Sequence, residues 1–418
     1  MLRDAAARYD EEVVDAAAAA VGQRWTLLQR TQAAFATSTA GLGLRRISVE
    51  MDAAYVASRA ATHDLCERIR PGHQWDDGAP GRPLADAAAR LAATLGRDAL
   101  RVATRAELTQ AYLGGKMRRK AVEAWREESQ PADGVRLSAH SAQGAGTRYE
   151  LTPSRTLDMN LSAGEFADNV ATLLGVDVLD EGSACPLCAA PLDAKGTHCL
   201  SCMSGGDTTL VHNATRGVFY DYSARGGLRP TLEAAGLLDG PGAREAREAS
   251  DEHRPADVLV IPHITLARFL PDGSRAVRAE RVCFDFAVIN ALGPSHWADT
   301  AMAPGLAAES YDEQKRQRNR TEERCRERGL QFRPVVFEAQ GGMSKGADAA
   351  VRAVAAAVAS REGRETAGVR REMLHRIAVI LARGCATRIA RRRAKVSGAR
   401  ASWASAARLT WAADHEEP

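Results

Sequence analysis

Apolar positions recur at three- and four-residue intervals early in the chain, in Val13, Val14, Ala17, Val21, Trp25 and Leu28, and again in Leu84, Ala87, Leu91 and Leu95. That spacing places them along one side of a 3.6-residue helix and predicts a helical region over residues 1–175. The Gly/Pro-rich segment from Arg70 to Arg82 interrupts the pattern as a loop. Its paired Asp76 and Asp77 sit among turn formers rather than on a tight hairpin between apolar strands, so they read as solvated loop residues. Ser129 to Gly146 is rich in Ser, Gly and Ala and predicts a linker or surface excursion.

From Leu173 onward the texture changes. A polar linker near Gly240 to His253 leads into three apolar runs rich in β-branched residues, Ala256 to Ile264, Val282 to Leu292 and Phe332 to Phe337. The charged, helically spaced stretch Ala307 to Gly329 separates the second run from the third, and a small-residue helix from Gly346 to Ala359 follows. The order strand, strand, helix, strand, helix predicts a mixed sheet flanked by helices, and for the whole chain the α+β class.

Composition sharpens this in three ways. Aromatic residues make up only 5% of the 418, while alanine is abundant, so the helices are expected to pack closely through small side chains. No run approaches the roughly 18 apolar residues that would span a bilayer, and the start carries early acids without a cleavage pattern; the expected location is inside the cell. Lys plus Arg number 56 against 53 acids, a formal +3 that conceals a basic tail. Between Arg383 and Ser402 lie Arg383, Arg388, Arg391, Arg392, Arg393, Lys395 and Arg400 with no acid. Such a run is a solvated face, or a phosphate-contacting surface where its neighbour acts on nucleic acid.

Four of the eight cysteines fall together, in Cys185-Pro-Leu-Cys188 and His198-Cys199-Leu-Ser-Cys202. A tetrahedral ion needs four donors about 2.0–2.3 Å from one point, and a Cys-x-x-Cys turn supplies two thiolates with little loop closure. Cys185, Cys188, His198 and Cys202 are the expected ligands of a structural zinc, with Cys199 a spare because adjacent residues do not easily face one ion. With four protein ligands no position stays open for water, so this ion is expected to fold a knuckle rather than to hydrolyse. His212 and Asn213 follow ten residues later and read as a helix-start hydrogen-bonding pair.

Three acids mark the apolar runs. Asp257 opens the first, Asp285 lies inside the second, and Glu338 ends the third before Gly341 and Gly342. Burying an ionised carboxylate costs several kcal/mol unless a counter-charge offsets it, so Asp285 requires a partner: a cation shared with a second acid, or a salt bridge to Arg281 or Arg333. Carboxylates holding Mg²⁺ or Mn²⁺ with a lysine nearby are what metal-assisted phosphodiester hydrolysis requires, and Lys315, on the charged helix, is the candidate lysine.

Taken in order, Cys185-x-x-Cys188, His198-x-x-x-Cys202, His212-Asn213, Arg254-Pro255-Ala256-Asp257, Asp285-Phe286-Ala287-Val288 and the Lys315 helix resemble the carboxy-terminal part of non-LTR retroelement proteins. Those proteins follow a reverse transcriptase with a zinc knuckle, an Arg-His-Asn signature and a restriction-like, PD-(D/E)xK-type endonuclease. The resemblance covers about residues 180–345. It implies a helical remnant over 1–175, a knuckle over 176–215, a restriction-endonuclease-like domain over 216–362 and a basic helical tail over 363–418. It also implies Asp257 and Asp285 as Mg²⁺ or Mn²⁺ ligands, Lys315 as the catalytic lysine, Glu338 as a further acid near the site, and Cys185, Cys188, His198 and Cys202 as the zinc ligands. DNA, and element RNA, are the implied partners, contacted by Arg388, Arg391, Arg392, Arg393 and Lys395, and the nucleus is the implied compartment. The chain departs from the pattern at Ala287, where many such nucleases carry lysine, at Val211 for the signature arginine, and at Asn319 for an expected tyrosine. With no polymerase hairpin ahead of the knuckle, the expectation is a DNA-nicking endonuclease in a truncated element, a detached domain or a decaying copy. The competing expectation is a non-catalytic zinc-knuckle protein that binds nucleic acid.

Overall fold

The computed structural model describes residues 2–72, 81–101, 107–154, 158–238, 255–261, 267–269, 275–277 and 281–396, with side chains omitted at 267–269, 275–277, 395 and 396. Asp76, Asp77, Arg254, Arg400, the side chain of Lys395, all of the 240–253 linker and the last three residues of the Ala256 to Ile264 run lie outside the described residues. The chain divides into two compact units, Met1–Ala36 with Gly41–Pro131, and Thr37–Ala40 with Ala132–Pro418.

The first unit is helical: α1 (Leu2–Ala20), α2 (Leu27–Ala33), α3 (Ile47–Ile69), α4 (Pro83–Leu95) and α5 (Gln110–Glu128). Local chemistry starts these helices. Thr26 and Gln29 form a reciprocal capping box on α2, Thr109 caps α5, and Pro83 occupies the first turn of α4, where its missing N–H costs nothing. The buried Asp10 accepts from the Ile47 and Ser48 N–H groups at 2.8 and 2.9 Å and so caps α3 from α1. The core of Ala53, Val56, Ala57, Leu84, Ala87, Leu91 and Leu113 is built of small and aliphatic side chains, as the composition led one to expect. The α4 stripe falls where the periodicity put it. In α1 the buried set is Asp10, Val14 and Ala18 rather than Val13 and Ala17, because a buried capping acid takes part in that face.

The second unit carries α6 (Pro131–His140), α7 (Ala163–Leu174), the short α8 (Thr197–Ser201) and α9 (Asp207–Arg225). After them come β1 (Thr231–Leu232), β2 (Val258–Val260), β3 (Ala267–Phe269), β4 (Arg275–Val277) and β5 (Arg281–Ile289). It continues through α10 (Trp297–Met302), α11 (Leu306–Gln317), α12 (Thr321–Glu327), β6 (Leu330–Glu338), α13 (Lys345–Glu362) and α14 (Thr366–Val396). The main sheet has the order β1-β2-β5-β6: β2 runs antiparallel to β1 and β5, whereas β5 and β6 are parallel and joined through α10 to α12. Helices together with a small mixed sheet make the protein α+β.

One face of the sheet, Val282, Phe284 and Phe286 with Val335 and Phe337, packs with residues of α9, α13 and α14 in the largest core. Phe219 of α9 stands 4.8 Å from Phe286, ring centre to ring centre and edge to face. The opposite face, Ala287, Ile289 and Val336, packs against Ala307 and Ala308 of α11. Period-2 alternation along β5 therefore decides which residues meet α9 and which meet α11.

Two expectations change here. The Ser129 to Gly146 excursion is a helix over much of its length: Pro131 opens α6, and Val135, Leu137 and Ala139 are buried, so packing overrides a loop-like composition. The described part of the basic tail is largely core. Every residue from Ile377 to Ile389 is buried, and α14 packs against α7, α9 and α13. A helix enclosed on all sides keeps its arginines only where each one finds acceptors.

Candidate functional site

The acidic cluster forms where β2 stops and β5 continues. Val258 pairs with Phe284, and the Asp257 N–H donates to the Phe284 carbonyl at 2.9 Å, so Asp257 ends the ladder opposite Asp285. Beyond that point the next β5 amide, Phe286 N–H, donates to Asp257 Oδ2 at 2.6 Å; a side-chain carboxylate takes the place of a strand. Lys315, in the last turn of α11, reaches the sheet from the other side, with Nζ 2.8 Å from Asp285 Oδ2 and donating to the Phe286 carbonyl at 2.9 Å. His212 of α9 places Nε2 3.3 Å from Asp257 Oδ2, and its Nδ1 lies 3.2 Å from Asn213 Oδ1. Each aspartate side chain is 22% exposed, enough to meet solvent and enough covered for charge to matter.

Electrostatics separates the two acids. Burial, reinforced by the neighbouring Asp257, pushes Asp285 up to about 6 against the pull of Lys315. Burial opposes ionisation at Asp257 too, but His212, the Phe286 N–H and Lys315 outweigh it and hold that carboxyl below its usual range. The same contact outweighs the burial that would lower His212 and keeps the ring above its ordinary pKa. Two adjacent carboxyl groups with opposite shifts form a pair that can exchange a proton near neutrality. Their donors are oxygens only, which suits a hard divalent ion rather than a soft one.

The structure thus brings Asp257, Asp285 and Lys315 together. The counter-charge of Asp285 is Lys315; Arg281 is exposed at the start of β5. His212 belongs to the cluster as well, in the interior of α9 rather than at its start, which corrects the helix-start reading. Its signal in the sequence was the His-Asn pair following the knuckle, but the partner lies 45 residues further on.

Glu338 is not brought to the pair. Asp285 sits opposite Pro334 and Ile289 opposite Glu338, so Glu338 lies four residues further along the sheet, about 13 Å at strand rise. It is 1% exposed, accepts from the Ala308 N–H at 3.3 Å, and its Oε2 has no partner. Burial pushes it up to about 7, the behaviour of an acid held in the core.

The knuckle is built locally. Cys185 and Cys188 flank a tight turn closed by the Ala189 N–H donating to the Cys185 carbonyl at 2.8 Å. Asp193 accepts from the Thr197 and His198 N–H groups at 2.8 and 2.7 Å, and Gly196, at φ +74°, makes the turn into α8 that delivers His198 and Cys202. The donor atoms of Cys185, Cys188, His198 and Cys202 all lie within 4.8 Å of one another and could hold a metal ion. Four donors 2.0–2.3 Å from one centre are themselves about 3.5 Å apart, so small side-chain shifts close the set. Burial raises the Cys185 thiol, but the Leu187 and Cys188 N–H groups outweigh it; Arg392 does the same at Cys202. Both are inclined to the thiolate that a metal needs. Cys199 stays outside the set, fully buried, with its thiol pushed up to about 12 by burial.

The four arginines expected to meet nucleic acid bond to residues in and around this knuckle. Arg388, 2% exposed, donates to the Leu200 carbonyl at 3.0 Å. Arg392, fully buried, bonds Asp207 Oδ2 at 2.9 Å, and Arg391 reaches the same carboxylate. Arg393 bonds the Val178 carbonyl at 3.0 Å and Asp168 at 2.7 Å. Arg383, further back, grips Asp158. Arg388 and Arg392 face no solvent and so cannot contact a phosphate backbone; the acids that pair with this run lie 184 or more residues earlier in the sequence, out of sight of a local charge count.

Compared with known protein families and with curated protein sequences, the chain matches none.

Proposed function

We propose that the second unit is a divalent-metal-dependent phosphodiesterase that nicks DNA, as the resemblance to retroelement endonucleases implies, and that the Cys₃His set holds a structural zinc. The supporting observation is the meeting of Asp257 and Asp285 with Lys315 and His212 at a partly exposed sheet edge. Asp257 and Asp285 would hold Mg²⁺ or Mn²⁺, which when bound lowers the pKa of water and stabilises charge on phosphate oxygens. Lys315 positions Asp285 and adds positive charge where the phosphorane oxygens develop theirs. His212 orients Asp257 through Nε2. In the reaction, water adds to phosphorus, the bond from phosphorus to the leaving sugar oxygen breaks, and that oxygen takes up a proton.

The test is nicking of supercoiled plasmid with Mg²⁺ or Mn²⁺ by the full chain beside Asp285→Asn. Nicking by the wild type alone supports the assignment. Equal background cleavage by both proteins removes it, and salt-sensitive retention of DNA without cleavage would leave the binding protein as the better description.

A further inference from the structure

Beyond the carboxyl ends of β5 and β6 lies a cavity of about 180 Å³ whose lining includes Arg136, His140, Arg148, Leu292, Trp297 and Gln340. Open α/β sheets often bind ligands at that end of a parallel strand pair. None of Asp257, Asp285 and Lys315 lines it, so it is separate from the acidic cluster.

His140 ends α6, is 2% exposed, and has no hydrogen-bond partner at either ring nitrogen. An unpartnered buried polar group is costly, so two on one ring call for an explanation. Arg148, 3% exposed, donates only to uncharged acceptors, Asn169 Oδ1 and the Ala339 carbonyl, both at 2.8 Å, and its Nε has no partner. Arg136 already has Asp133, and Lys195, at the rim, has Asp177. Among the cations that line the cavity, the one without a bonded carboxylate is therefore Arg148, beside the unsatisfied histidine.

Burial, with Arg148 and Arg136 adding to it, holds His140 well below its ordinary pKa, so the ring is neutral and offers one donor and one acceptor. A carboxylate could accept from such a ring but not donate to it. A phosphate group, whose second proton leaves near pH 6, presents both acceptor oxygens and an O–H, and its negative charge answers Arg148. Leu292, Trp297 and Leu200 give the cavity an apolar wall, with room for a small organic substituent.

We propose that this cavity binds a small phosphate monoester or free phosphate, with the phosphate between His140 and Arg148 and any organic substituent against Trp297 and Leu292.

Calorimetric titration of the full chain with phenyl phosphate, inorganic phosphate and benzoate at matched ionic strength tests this, together with the ring-nitrogen NMR signals of His140. One-to-one binding of a phosphate probe that shifts those signals is expected. His140→Phe should weaken it at least tenfold, and His140→Gln, which restores a donor and an acceptor, should stay within a few-fold. Circular dichroism shows whether each variant folds. Phenyl phosphate at least tenfold tighter than inorganic phosphate identifies an organic monoester as the occupant; equal affinities identify free phosphate. No saturable binding of either, unchanged affinity in a folded His140→Phe, or benzoate binding as tightly as the phosphates would overturn the proposal.

Discussion

The knuckle and the acidic cluster make opposite demands on the chain. The knuckle gathers its donors from Cys185 to Cys202, and each is placed by a neighbour: a turn at Ala189, a cap at Asp193, a positive-φ glycine at 196. The acidic cluster draws His212 from α9, Asp257 from the residue just before β2, Asp285 from β5 and Lys315 from α11. Its geometry exists only once the sheet is in register and both helices have docked. A site of the first kind can be lost by one change within a short segment, whereas a site of the second kind is as good as the packing that surrounds it.

The largest effect is expected at the knuckle. Cys202→Ala removes one donor of four; structural zinc contributes on the order of 10 kcal/mol to small metal-folded modules, so residues 176–204 should lose most of their amide-exchange protection. Zinc content should fall well below one equivalent by elemental analysis. If protection persists without metal, the knuckle is held by α14 alone and the contrast between local and assembled sites weakens.

At the acidic cluster Asp285→Asn should leave the fold intact while lowering plasmid nicking by a factor of about 1000, roughly 4 kcal/mol in the barrier. Thermal unfolding and a nicking time course distinguish the two quantities. A variant that nicks as fast as wild type would show that the convergence of these acids serves stability rather than chemistry.

Arg392→Met is the next in size. It leaves Asp207, 3% exposed, without one of its two arginines, and breaking a buried ion pair from one side costs about 3–5 kcal/mol. A drop in unfolding free energy at constant denaturant slope would place the arginine run firmly among structural residues. A weakened DNA affinity in a variant of unchanged stability would return it to the surface reading.

Glu338→Gln gives the smallest effect, and one that depends on pH. Burial raises the folded-state pKa to about 7 from the ordinary 4.5. The folded protein therefore binds the proton more tightly than the unfolded chain, and stability falls as pH rises from about 4.5 to 7 and stays lowered above it. Glutamine carries no such penalty. The variant should be more stable than wild type by up to about 3 kcal/mol at pH 8.5 and nearly equal to it at pH 4.5, read from urea unfolding at the two pH values. A nicking rate that falls tenfold in this variant would tie Glu338 to the reacting centre from across the sheet.

How much could be read beforehand follows the same division. The Cys/His ligand set was legible because spacing alone limits which donors can meet, and Cys199 was set aside on the same ground. The three apolar runs and the intervening charged helix emerged in the right order because β-branched runs and helical spacing are local signals. The 129–146 segment was misread because the burial of Val135 and Leu137 is a tertiary fact. Glu338 was misread for a related reason: an acid at a strand end looks the same in sequence whether the register carries it to Asp285 or four residues past it. His212 was seen, but its partner was not, since nothing in a helix names the strand it will pack upon.

The amino-acid sequence by itself determined the class of the protein, the small-residue packing of its helices, and a metal-suited knuckle closed within eighteen residues. Only the tertiary structure decided that Asp257, Asp285 and Lys315 share one edge, and that Arg383, Arg388 and Arg392 are buried while the run as a whole bonds Asp158, Asp168, Asp207 and backbone carbonyls. The physical reason is the range of the forces involved. Turn geometry and helix capping act between neighbours in the chain, whereas strand register and the pairing of buried charges act between residues that become neighbours only after the core has closed.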